Sequence, residues 1–256
     1  MNRLHQVMEN VATIKNSWIP GESAEHRRII NCGLGTFLRY AKRAQCFYGG
    51  NITNLRHSVI PELCVLPYDV CWFEFEVDWK EYPQKVIFAA LVANVKDGED
   101  GGNNHFCWYF VKRDDWALVC SGLARRDVNG LRVEYHADDE NRKIVARAIT
   151  GAVHWLLSAI NCKNVCLAEN NPDSALQKAR TKKGKVPLFT YWTLQIHNSA
   201  AHNYANLGGT HASPRVHLRR GHPRQYEPGK WTWVQPHAVG NRALGMVHKD
   251  YAMAQP

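Results

Sequence analysis

Near the end of the chain, His217, Arg219, Arg220, Gly221 and His222 stand in the run HLRRGH, with Arg224 two residues further on. Histidine exchanges a proton near neutral pH, and the planar guanidinium fork of arginine matches a phosphate. If RVHLRR is extended, His217 and Arg219 share one face, and Gly221 permits a turn that returns His222 towards them. Two chemistries fit these residues. In the first, His217 and His222 act as base and acid in metal-independent RNA cleavage by the neighbouring 2′-hydroxyl, with arginine stabilising the charged phosphorane. In the second, Arg219, Arg220, Arg224 and Lys230 hold RNA phosphates without cutting, while Trp231, Trp233 and Tyr226 offer faces on which unpaired bases stack. A third reading is structural: a basic turn above a small core that takes in at least one tryptophan.

Other chemistries lack their residues. His197, His202, His211, His217 and His222 crowd one span, but no cysteine follows Cys166 and there is no His-Glu-x-x-His element, so no metal is expected. The glycine clusters lack the lysine of a phosphate loop or the strand–helix setting of a dinucleotide site, so no cofactor is expected. No Gly-x-Ser-x-Gly element supports a serine hydrolase. The eight cysteines show no Cys-x-x-Cys spacing, and several lie in apolar runs such as DVCWFEFEV and HFCWYFV. They read as buried free thiols in a reducing cytosol.

The charge is segregated along the chain. Up to residue 170, 20 Lys and Arg balance 20 Asp and Glu; from residue 171 on, 12 Lys and Arg meet only Asp173, Glu227 and Asp250. The whole net charge of +9 therefore lies in the last third. A neutral body with a basic end points to an anionic partner, RNA in this reading. No apolar run in the sequence reaches the ~18–20 residues of a membrane helix, and the polar start is unlike a signal peptide, so no membrane partner is expected.

The elements that must position these residues read as an α+β fold. Leu4, Val7, Met8, Val11, Ile14 and Trp18 recur at helical spacing, and a second helix carries Ile30, Leu34, Phe37, Leu38 and Ala41. Runs at 69–79, 85–95, 105–113, 116–124 and 130–137 are rich in β-branched and aromatic residues. Their short connections predict an antiparallel meander. Asp138 or Asp139 can cap a long helix whose stripe Val145, Ile149, Ala152, Leu156 and Ile160 covers one face of the sheet, with Thr150, His154 and Ser158 opposite. The expected division is an α+β body over 1–170, a basic linker or mobile loop over 171–185, and a basic β-rich region over 186–256.

The run PRVHLRRGHPRQYEPGKWTWVQPHAVGN also resembles the C-terminal signature of phage- and plasmid-borne proteins related to a type V-A anti-CRISPR inhibitor. The matching positions are His217, Arg219, Arg220, Gly221 and His222, then Trp233, Pro236 and Asn241, and Pro223 stands where related proteins often carry an aromatic. VLPYDVCWFEFE is similar to a Leu-Pro element of the family that leads into an apolar strand. The resemblance implies mobile-element origin, action in the host cytoplasm, and a role at translated mRNA alongside a host protein or nascent peptide. The rival expectations are the ribonuclease described above and a protein-only inhibitor or virion-associated component.

Overall fold

The computed structural model describes residues 3–11, 34–53, 60, 63–79, 84–95, 104–127, 130–137, 139–196, 215–219, 222–234, 237–239 and 241–246. Expectations resting on Trp18, Ile30, Cys32, His197, His202, His211, Arg220, Gly221 and Pro236 lie outside the described residues. The chain divides into two compact units. One, the body, comprises 1–161 and 167–195; the other comprises 162–166 and 196–256.

The body is built on an eight-stranded sheet. In chain order its strands are β1 (Gln45–Asn51), β2 (Val70–Val77), β3 (Val86–Val95), β4 (Asn104–Lys112), β5 (Trp116–Asp127), β6 (Gly130–His136), β7 (Val165–Asn170) and β8 (Tyr191–Ile196). They lie in the order β6-β5-β4-β3-β2-β1-β8-β7. The run β2 to β6 is an antiparallel meander. The sheet as a whole is mixed, because β1 pairs in parallel with both β2 and β8. β1 escapes the sequence pattern because Gly49 and Gly50 interrupt it. A Cβ at Gly49 would meet the Phe75 ring at 2.5 Å, so the glycine admits that ring against the backbone. The pairing Phe47↔Trp192 places β8 inside the sheet, between β1 and the edge strand β7. The segment after 186 therefore begins in the body, and the body ends near residue 195 rather than at 170.

Both faces of this sheet are covered, which is why its strands read as nearly continuous apolar runs. Helix α1 (Leu4–Glu9) and the helical residues 34–41, α2, lie on one face. There Leu4, Val7, Leu34 and Phe37 join Trp72, Leu91, Trp108 and Phe110 in one core. On the other face α3 (Glu140–Ile160) places Ile149, Ala152, Val153 and Leu156 against Phe47, Phe73, Phe75 and Tyr109. Asp139 caps α3, its carboxylate accepting from the Asn141 backbone N–H.

The buried arc of α3 is wider than a single stripe. Thr150 and Ser158, expected on the outer side, are buried. Part of the cover comes from the segment 63–65: Asn161 Nδ2 donates to the Leu63 and Val65 carbonyls at 2.9 and 3.0 Å. Thr150 also joins a hydroxyl chain, accepting from Tyr135 and donating to Tyr109, each at 3.0 Å.

The basic stretch 171–185 is ordered structure rather than a linker. It carries helix α4 (Ser174–Lys182), capped by Asp173, whose carboxylate accepts from the Leu176 N–H at 2.8 Å. Gly184, at φ +63, ends the helix. The N–H groups of Gly184 and Lys185 return to the Thr181 and Arg180 carbonyls, the Schellman closure that glycine makes easy. Gln177 then exchanges two hydrogen bonds with the Leu188 backbone. Arg180 reaches both the Val186 carbonyl and Glu9.

Candidate nucleic-acid interface

The HLRRGH run begins in β9 (Arg215–Arg219) and ends in β10 (His222–Glu227). The two strands belong to different sheets. β9 lies between β12 (His237–Val239) and β13 (Asn241–Met246), whereas β10 forms a hairpin with β11 (Lys230–Val234). His217 and Arg219 thus occupy alternate positions of β9, opposite Val239 and His237. His222 is registered against Val234 in the hairpin. The sheets do not pair the two histidines with one another, and Arg220 lies outside the described residues. His237, in register with Arg219, adds a third imidazole-bearing position to this region; its distance along the chain hid it from a reading of the short motif.

Within the hairpin, directly opposed residues share a face. Pro223 opposes Trp233 and Gln225 opposes Trp231 on one side; His222 opposes Val234 and Arg224 opposes Thr232 on the other. Pro223 is buried and Trp233 is only 7% exposed. This corrects the expectation of a stacking role for Trp233, since a ring so covered has no free face for a base. Trp231 is half-buried, whereas Arg224 and Tyr226 are exposed. The strict interleaving of tryptophan with cation therefore resolves into one aromatic face and one face bearing His222 and Arg224. Lys230 is exposed and paired with Glu227 at 2.5 Å, beside Gly229 at φ +72. An exposed pair of this kind contributes up to about 1 kcal/mol and leaves the ammonium open to competition by phosphate.

The free edge of β11 is closed by the segment 162–166 of the same unit. Lys163 N–H donates to the Trp231 carbonyl at 3.0 Å. Asn164 then imitates a peptide: its Oδ1 accepts from Trp233 N–H at 2.6 Å and its Nδ2 donates to the Trp233 carbonyl at 2.8 Å. Nothing in the sequence links Asn164 to a strand nearly seventy residues away, so pattern reading misses it. Asn164→Ala should destabilise this unit by about 1–3 kcal/mol, the cost of leaving strand groups unsatisfied. Thermal unfolding followed by tryptophan fluorescence would show it, and an unchanged transition would remove Asn164 from the edge.

The body offers weaker candidates for chemistry. Burial pushes the thiols of Cys71, Cys107 and Cys120 up to about 12 and that of Cys162 to about 11, so none is a ready nucleophile at neutral pH. A small cavity lined by Cys64, His105, Cys107, Tyr109, Thr150 and His154 has room for about one water. Among the described residues no group of three or more His, Cys, Asp or Glu is arranged to hold a metal ion. Among the described helices α3 alone is long and apolar enough to cross a membrane by length and composition. Half of that stretch is buried, with Ile149 and Leu156 packed in the sheet core. No family model matches this chain, and neither a curated protein nor a solved structure is significantly similar to it.

Proposed function

We propose that this chain is a phage or plasmid effector that binds RNA through its basic C-terminal region. In this reading it acts on translated mRNA in the host cytoplasm, with the α+β body engaging a host protein or nascent peptide. The observation that carries the RNA part is the charge segregation along the chain: 12 Lys and Arg against 3 Asp and Glu after residue 170, where the residues before it hold 20 of each. An exposed Arg224 on one hairpin face is compatible with phosphate contact. The mobile-element part rests on the resemblance of the His217–Asn241 run.

The test uses the full chain, because a cut at 170 would remove β8 from its place between β1 and β7 in the sheet. Fluorescence anisotropy with a labelled single-stranded RNA should show affinity falling steeply with salt, by roughly 0.7 in logarithmic slope per phosphate contacted. Nucleic acid should also accompany the protein through low-salt purification. Affinity that is absent or insensitive to salt would sink the RNA reading and leave the protein-only inhibitor. Cleavage of the RNA that persists in EDTA would instead favour the ribonuclease.

A further inference from the structure

Five of the twelve cations beyond residue 170 lie on α4 and the turn that follows it, and that segment belongs to the body. Only Arg180 among the five is used internally, held by the Val186 carbonyl and Glu9. Lys178, Lys182, Lys183 and Lys185 are exposed, and among the described residues no carboxylate pairs with any of them.

Folding alone gives a poor account of this arrangement. α4 has nine residues and buries none of them. A helix that short is marginal by itself, and like charges one turn apart, as at Lys178 and Lys182, weaken it further. It is nevertheless fixed at both ends, by the Asp173 cap and the Gly184 closure. Gln177 and Arg180 tie one side of it to residues 186–188. Lys178 and Lys182, separated by one turn or ~6 Å along the axis, stand clear of that tie. The result is a row of ammonium groups that meets no counter-charge among the described residues. The large apolar side chain exposed on this helix is Leu176, at 43%. Such a surface lacks the aromatic and apolar anchors of a stable protein interface and suits a repeating anion.

We propose that Lys178, Lys182, Lys183 and Lys185 form a second RNA contact, a ledge on the body that binds the phosphate backbone of a single strand independently of the C-terminal hairpin. The inference rests on the RNA-binding reading and extends it to a site outside the HLRRGH region.

The experiment compares the full-length parent with the quadruple variant Lys178→Gln, Lys182→Gln, Lys183→Gln and Lys185→Gln, and with Arg224→Gln. Labelled oligouridylate is titrated at several KCl concentrations, and poly-glutamate is titrated in parallel. Glutamine retains helix propensity and these lysines make no ion pair among the described residues, so the melting temperature should hold. The quadruple variant should bind oligouridylate at least tenfold more weakly, with a salt slope smaller by roughly 2–3. A parent-like affinity and slope would overturn the ledge, as would a loss confined to poly-glutamate. If Arg224→Gln weakens RNA binding while the quadruple variant does not, the ledge fails and the RNA reading survives. If the parent binds no RNA, both fail.

Discussion

Arg3→Met should lower the stability of the body by about 3 kcal/mol, the lower end of the cost of breaking a buried ion pair. Glu74 lies on β2 with its side chain fully buried, and Arg3 meets it with its guanidinium and with its backbone N–H at 2.8 Å. Trp72 Nε1 adds a longer bond at 3.4 Å. Burial pushes the Glu74 carboxyl above its ordinary range, while the charge and hydrogen bonds of Arg3 oppose that rise. Removing the guanidinium leaves an anion in the core beside Trp72. A melting temperature lower by roughly 6–12 °C is expected for a unit of this size.

The sign of the pH dependence follows from the same shift. A carboxyl whose folded pKa is raised holds its proton more tightly in the folded state than in the unfolded chain. Its contribution to stability is therefore complete below the unfolded value, near 4.3, and is lost as pH rises through the folded value. Removing Arg3 raises the folded value further and deepens that loss. The gap between parent and variant should be widest near neutrality and should narrow as pH falls towards about 4. The double variant Arg3→Met/Glu74→Leu should recover most of the stability, because an apolar pair needs no desolvation of charge. A gap independent of pH, or a double variant no better than the single, would mean that the pair is not what holds α1 to the sheet.

Glu74 also shows what kind of information the sequence displays and what it conceals. VCWFEFEV carries the β-branched and aromatic residues of a strand, and the meander from β2 to β6 was legible because each of those strands carries its own pattern and pairs with its neighbour in the chain. Yet the strand's register puts Glu74 on the face that also bears Val70 and Trp72, where only a partner 71 residues away makes it tolerable. Long-range parallel pairing is equally silent: Phe47↔Trp192 leaves no local mark on either segment. The stretch 171–185 conceals its helix for a different reason. Its polar composition suggested a linker, although Asp173 and Gly184 stood at the two ends as start and stop signals for a helix. In the C-terminal unit the alternation of KWTWV was visible. Which face received the tryptophans depended on pairing with β10 and on Asn164, and neither can be read from the strand itself.

In the HLRRGH segment, Arg219→Ala and Arg220→Ala should each weaken RNA binding by about 1–3 kcal/mol if they contact phosphate. Combined with Arg224→Ala, the loss should reach about 3–9 kcal/mol if the three add, or roughly 10²–10⁶-fold in Kd. The register separates these substitutions from their neighbours. Arg224 is exposed opposite Thr232, whereas Trp233 is buried opposite Pro223. Trp233→Ala should therefore lower the melting temperature, and Arg224→Ala should leave it nearly unchanged. His222→Ala should preserve most binding, and would abolish cleavage if the parent cleaves. His217→Ala interrupts the position opposite Val239 in a central strand, so a loss there counts as functional only if the fold is intact. Anisotropy titrations paired with thermal melts for every variant distinguish these outcomes. If folded forms of all the arginine and histidine variants bind RNA and act on transcripts as the parent does, HLRRGH is a structural turn. RNA contact would then have to lie elsewhere, with the lysines of α4 the first place to look.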